Sequence, residues 1–131
     1  MTGGVKRHFS GSKFEALYGH SRAVAVGNLV FVAGSTGYDY KTGTISDDPA
    51  EQTRQTFRNI ESALNEVGSS FADVVQLVTY FVDKADWDAI GGVLKEQLEG
   101  VHPVNAGVQT GLILPEMKVE ISATAVRRDS D

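Results

Sequence analysis

The side chains able to do chemistry fall in four short stretches of this sequence. Lys118-Val119-Glu120-Ile121 sets a carboxylate in the polar register of an alternating run. Such a group is either a solvated strand residue or, once partly desolvated, a base with a raised pKa. His20 and Arg22 stand two residues apart, and so on one side of an extended strand. An imidazole titrates near neutral pH. A guanidinium can grip a carboxylate through its planar fork, or close a surface or intersubunit salt bridge. Asn105 and Gly107 alternate within His102-Pro103-Val104-Asn105-Ala106-Gly107-Val108, and the asparagine offers an uncharged amide. Gly34, Ser35 and Thr36 offer backbone N–H groups to a ligand oxygen, or simply end a strand.

The elements that must hold these residues are legible. Ala23–Val26 and the run from Leu29 to Ala33 are rich in β-formers and are joined by Gly27-Asn28, the pattern of a tight hairpin. Residues 34–47 read as a loop with a turn at Lys41-Thr42-Gly43. Asp48, Pro49 and Glu51 open a helix with a cap, a first-turn proline and a capping-box-like acid. Its apolar stripe is Phe57, Ile60, Leu64 and Val67, and Gly68 ends it. A strand over 74–82 follows, then a second helix over 86–98 with Trp87, Ile90, Leu94 and Leu98 inward. Gly91 and Gly92 weaken the middle of that helix and read as a site of close packing. Strands over 104–110 and 118–126 close the chain. The last turns Val119, Ile121, Ala123 and Ala125 one way and Glu120, Ser122 and Thr124 the other. The order β-β-α-β-α-β-β, with two helices on one sheet face, makes an α+β fold. The uncovered face is either solvated or buried against another copy.

A chain of 131 residues is expected to form one domain, 1–131, with 1–12 a polar, basic, flexible arm. Hydrophobic residues at 41% and charged residues at 22% suit a globular protein. The net charge of −5, with basic pairs only near the termini, argues against a nucleic-acid partner. No apolar run approaches the ~20 residues a membrane span needs. The absence of cysteine excludes disulfides and thiolate chemistry and fits a cytoplasmic protein. The three scattered histidines, His8, His20 and His102, make no zinc site.

The segment 102–108 followed by Leu114-Pro115-Glu116-Met117-Lys118-Val119-Glu120-Ile121 resembles the terminal signature of the Rid family (reactive intermediate deaminases, YjgF-like or L-PSP endoribonuclease-like). Val26-Gly27-Asn28-Leu29-Val30-Phe31-Val32-Ala33-Gly34, Thr42-Gly43, Gln52-Thr53-Arg54-Gln55-Thr56 and Asp73-Val74-Val75 extend the resemblance from about Tyr18 to Arg127. It implies a chorismate mutase-like homotrimer with active sites in clefts between subunits, using neither metal nor organic cofactor. The implied reaction is hydrolysis of small enamines and imines of the 2-iminobutanoate/2-iminopropanoate type to a 2-oxo acid and ammonia. By resemblance, Glu120 orients the attacking water.

The chain departs from the family pattern elsewhere. Asn105 stands where the family has a substrate-binding arginine, Gly107 where the deaminases commonly have cysteine, His20 for a tyrosine and Ala33 for a serine. A neutral hydrogen bond contributes roughly half the ~1.5–3 kcal/mol of a charge-assisted one. The substrate therefore either lacks the carboxylate of a 2-imino acid or is gripped by Arg22. The expected catalytic residues are Glu120 and His20, and the expected substrate contacts are Asn105, Gly34, Ser35, Arg22 and Gly107. A non-catalytic small-molecule-binding or regulatory trimer is the alternative, and an endoribonuclease or translation inhibitor a third reading.

Overall fold

The computed structural model describes residues 4–128. The strands are β1 (Val5–His8), β2 (Ala23–Val26), β3 (Leu29–Thr36), β4 (Tyr38–Asp39), β5 (Thr44–Ile45), β6 (Val74–Phe81), β7 (Val104–Gln109) and β8 (Val119–Val126). The helices are α1 (Lys13–Tyr18), α2 (Pro49–Glu66) and α3 (Trp87–Leu98). Six strands form one sheet in the order β1-β2-β3-β8-β6-β7, while β4 and β5 form a separate hairpin. Only β6 and β7 are parallel, as the α3 crossover between them requires; the other neighbours are antiparallel.

The core order β-β-α-β-α-β-β is present as β2-β3-α2-β6-α3-β7-β8. The hairpin turns at Gly27, whose φ of 59° is left-handed. At the start of α2, Asp48 accepts from the Glu51 N–H at 2.9 Å. Phe57, Ile60 and Leu64 are buried on the helix's inner face.

Two expectations are corrected. The arm expected over 1–12 contains an ordered strand: β1 pairs with β2 from Val5↔Val26 to His8↔Ala23. Residues 1–3 lie outside the described residues. An edge strand needs backbone partners and not an apolar run, so Val-Lys-Arg-His could join the sheet while remaining largely exposed. The second correction concerns Gly91 and Gly92, where an added Cβ would meet nothing within 4 Å, so no close packing calls for glycine. Gly92→Ala is therefore expected to stabilise the protein by up to ~1 kcal/mol, raising the midpoint of thermal unfolding by roughly 4 °C.

Directly paired residues share a sheet face. Val30, Val32, Leu77, Val119, Ile121, Ala123 and Ala125 point to the helices and are buried. The other face carries the rows Val24–Phe31–Thr124–Gln76–Val104 and Glu120–Tyr80–Val108. Neither α2 nor α3 covers it: Phe31 is 46% exposed and Val104 67%.

Candidate active site

Glu120 lies on the uncovered face of β8, opposite Thr36 of β3 and Tyr80 of β6. The β3–β8 ladder shifts register between Val32 and Ser35, placing an irregularity at Ala33-Gly34. Gly34 passes directly beneath the glutamate. A Cβ there would collide with the carboxylate and lie 2.9 Å from its carboxyl carbon. The site thus needs glycine for close approach. Burial raises the pKa of Glu120 above its ordinary value, and the charges of Arg22 and His20 oppose that rise only in part. Gly34→Ala meets only the end of a flexible side chain, so the fold should survive with Glu120 displaced. Circular dichroism is expected to be unchanged, with turnover falling about 100-fold for a displacement near 1 Å.

The carboxylate opens onto a cavity of about 240 Å³. His20, Gly34 and Thr36 share this lining with Glu120, while Phe14, Tyr18, Tyr40, Ile113 and Met117 supply apolar walls. Nδ1 of His20 sits 2.9 Å from the Ser21 carbonyl. A carbonyl only accepts, so Nδ1 is the donor in this contact.

Arg22 also borders the cavity, but its guanidinium is already engaged. It is only 2% exposed. Nε donates to Glu15 at 2.9 Å, and one terminal nitrogen donates to the Gly34 carbonyl at 2.9 Å and the Ser35 hydroxyl at 3.3 Å. The guanidinium carbon stands 4.9 Å from the centre of the Tyr40 ring. Burial pushes the Glu15 carboxyl up, yet hydrogen bonds from Ser10 and Arg22 outweigh it and hold the group below its ordinary pKa. Arg22 thus ties α1 to the Gly34 irregularity.

The other expected contacts are placed differently. The Ser35 side chain is completely buried, and its hydroxyl donates to the Ala33 carbonyl at 3.0 Å. Asn105 pairs with Leu77 and Gly107 with Thr79, so both belong to the helix-facing side, opposite to that of Glu120. Thr79 donates to Asn105 at 3.0 Å, and a Cβ on Gly107 would lie 3.0 Å from the Trp87 ring. A single chain does not bring Asn105 and Glu120 together.

Sequence reasoning missed the apolar walls and Glu15. A signal for the latter existed: Ser12-Lys13-Phe14-Glu15 has the Ser-x-x-Glu spacing of a helix start. Ser12 indeed accepts from the Phe14 N–H at 3.2 Å, and Gly19 closes α1 with a φ of 77°. Ile113 and Met117 belong to the β7–β8 connection. Buried Gln52 pins it, donating to the Glu116 carbonyl and accepting from the Lys118 N–H, each at 2.9 Å. The Tyr38 hydroxyl donates to the Glu116 carboxylate, and burial with that neighbour pushes its pKa to about 12.

The sequence model of the family described as Endoribonuclease L-PSP matches residues 10–127. This chain belongs to the Rid family. A YjgF-family crystal structure from Mycobacterium tuberculosis is 40% identical to this Rid-family chain, with a TM-score of 0.86 over 94% of this chain and 99% of that one. The rat 2-iminobutanoate/2-iminopropanoate deaminase is 28% identical over 97% of this chain and 94% of its own length. The crystal structure of Escherichia coli TdcF with bound serine is 27% identical, with a TM-score of 0.78 over 83% of this chain and 88% of that one. The α+β sheet-and-helix architecture is that of the YjgF-family structures. Among the described residues no helix is long and apolar enough to cross a membrane, and no group of three or more His, Cys, Asp or Glu could hold a metal ion.

Proposed function

We propose that this Rid-family chain is a cytoplasmic hydrolytic deaminase of small imine or enamine metabolites. The observation that carries the reading is the Glu120 carboxylate, seated against Gly34, partly desolvated and facing a cavity of metabolite size. The rat deaminase relative supports the reaction class. Ionised Glu120 takes a proton from water as its oxygen bonds to the imine carbon. The resulting aminol collapses once its nitrogen is protonated, releasing ammonia and leaving a carbonyl product. His20, on the same cavity, adjusts the charge felt by Glu120.

The working unit in this proposal is a homotrimer. Its uncovered apolar face, with Phe31, Leu29, Val104 and Val108 exposed, is what association would bury. Because β7 is an edge strand exposed along its length, a neighbour's Asn105 and Gly107 would come toward Glu120 from that edge across the boundary. Asn105 in place of arginine also favours a second reading, a binding trimer without turnover.

Ammonia release from freshly generated 2-aminoacrylate and 2-iminobutanoate, compared for wild type, Glu120→Gln and Asn105→Arg, separates the two. Wild-type release that disappears in Glu120→Gln supports the deaminase. Release only after Asn105→Arg marks a scaffold whose natural ligand is different, and silence from all three favours the binder.

A further inference from the structure

From the cavity beside Glu120 we infer that the substrate carries no carboxylate next to its C=N bond, and is instead an imine with a small apolar body. The inference rests on the deaminase reading and narrows it.

An α-carboxylate needs a cation with free N–H groups. Among the described residues Arg22 is the only arginine or lysine lining the cavity within one chain, and Asn105 and Gly107, which the proposed trimer would bring from a neighbour, carry no charge. Arg22 is 2% exposed and bonded through Nε to Glu15 and through a terminal nitrogen to the Gly34 carbonyl, with Tyr40 beside it. Its charge is matched by the Glu15 carboxylate at 2.9 Å. What remains is the Glu120 carboxylate with His20 on the same wall, so no free guanidinium or ammonium group faces whatever enters. A second carboxylate held a few ångströms from Glu120 would be repelled. Phe14, Tyr18, Ile113 and Met117 suit an uncharged hydrocarbon body. A volume of about 240 Å³ is below the ~300–1,000 Å³ typical of drug-sized ligands, which limits that body to a small metabolite. The step is R–CH=NH + H₂O → R–CHO + NH₃: the C=N bond breaks, the water oxygen becomes the carbonyl oxygen, and both water protons leave on the nitrogen. Such imines are what two-electron oxidation of a primary amine delivers, so a reaction of that class would supply them.

A matched pair of imines tests this. An amine oxidase makes the carboxylate-free imine from 3-methylbutylamine, and an amino-acid oxidase makes the 2-imino acid from leucine. Competition with semicarbazide reads the hydrolysis rate, with peroxide removed by catalase. The carboxylate-free imine is expected to show at least a tenfold higher kcat/KM, with the activity lost in Glu120→Gln. Ile113→Lys places a cation at an exposed position of the cavity wall and is expected to shift the ratio at least tenfold toward the 2-imino acid. Equal or better Glu120-dependent hydrolysis of the 2-imino acid overturns the inference and leaves the deaminase standing. No Glu120-dependent hydrolysis of either imine overturns both.

Discussion

Glu120→Gln is expected to lower turnover by about 10²–10⁴-fold, the usual contribution of a positioned general base, without loss of fold. The glutamine keeps the shape above Gly34 but cannot take the proton. The same group sets a pH dependence. Only ionised Glu120 is a base, so wild-type activity should fall as pH drops through a pKa that burial holds above 4.5, and a pH–rate profile measures it. The stability effect has the opposite sense. A carboxyl whose folded pKa exceeds its unfolded value contributes most below the unfolded value and loses that contribution as pH rises through the folded one. At neutral pH the ionised, half-buried carboxylate is therefore a net cost to folding. Glu120→Gln is expected to melt higher than wild type at pH 7, and the difference should close near pH 4 and below.

Arg22→Met is expected to cost about 3–5 kcal/mol, because it leaves the Glu15 carboxylate buried without its cation. For a domain of this size that lowers the thermal midpoint by roughly 10–20 °C. A second substitution, Glu15→Leu, should recover most of the loss, since replacing both partners of a buried pair by apolar groups is often neutral. A large single-variant loss with recovery in the double variant would establish the pair as the pin between α1 and the Gly34 irregularity. A single-variant change below ~1 kcal/mol would remove that role.

Much of the fold was legible because α2, β6 and β8 carry strong local signals. Asp48-Pro49 caps one, a dense β-branched run makes the next, and strict alternation turns Glu120 away from the core in the third. β1 escaped because an edge strand is stabilised by backbone pairing that leaves little pattern in the side chains. Gly34 and Glu120 were both singled out, but their contact was not. It arises from a register shift between strands that bring together residues 86 positions apart, which neither strand's own pattern reveals. The sheet side taken by Asn105 and Gly107 was not legible for a related reason. Two-residue alternation says which residues share a side, and only pairing with Leu77 and Thr79 says which side that is. The salt-bridge reading of Arg22 lacked a partner because Glu15 sits on a six-residue helix too short to show an apolar stripe.

The irregularity at Ala33-Gly34 also acts as a change of parity. Before it, the even-numbered Val30 and Val32 of β3 point to the helices; after it, the odd-numbered Ser35 does so, opposite Ile121. One extra residue therefore reassigns the end of the strand, sending the Ser35 hydroxyl to Arg22 and Thr36 to the cavity. A sequence shorter by one residue at this point could preserve every hydrophobic position up to Val32 and still exchange what the two sides present beside Glu120. Among chains of this architecture, the spacing between Val32 and Thr36 is thus as much a determinant of chemistry as the identity of any single side chain.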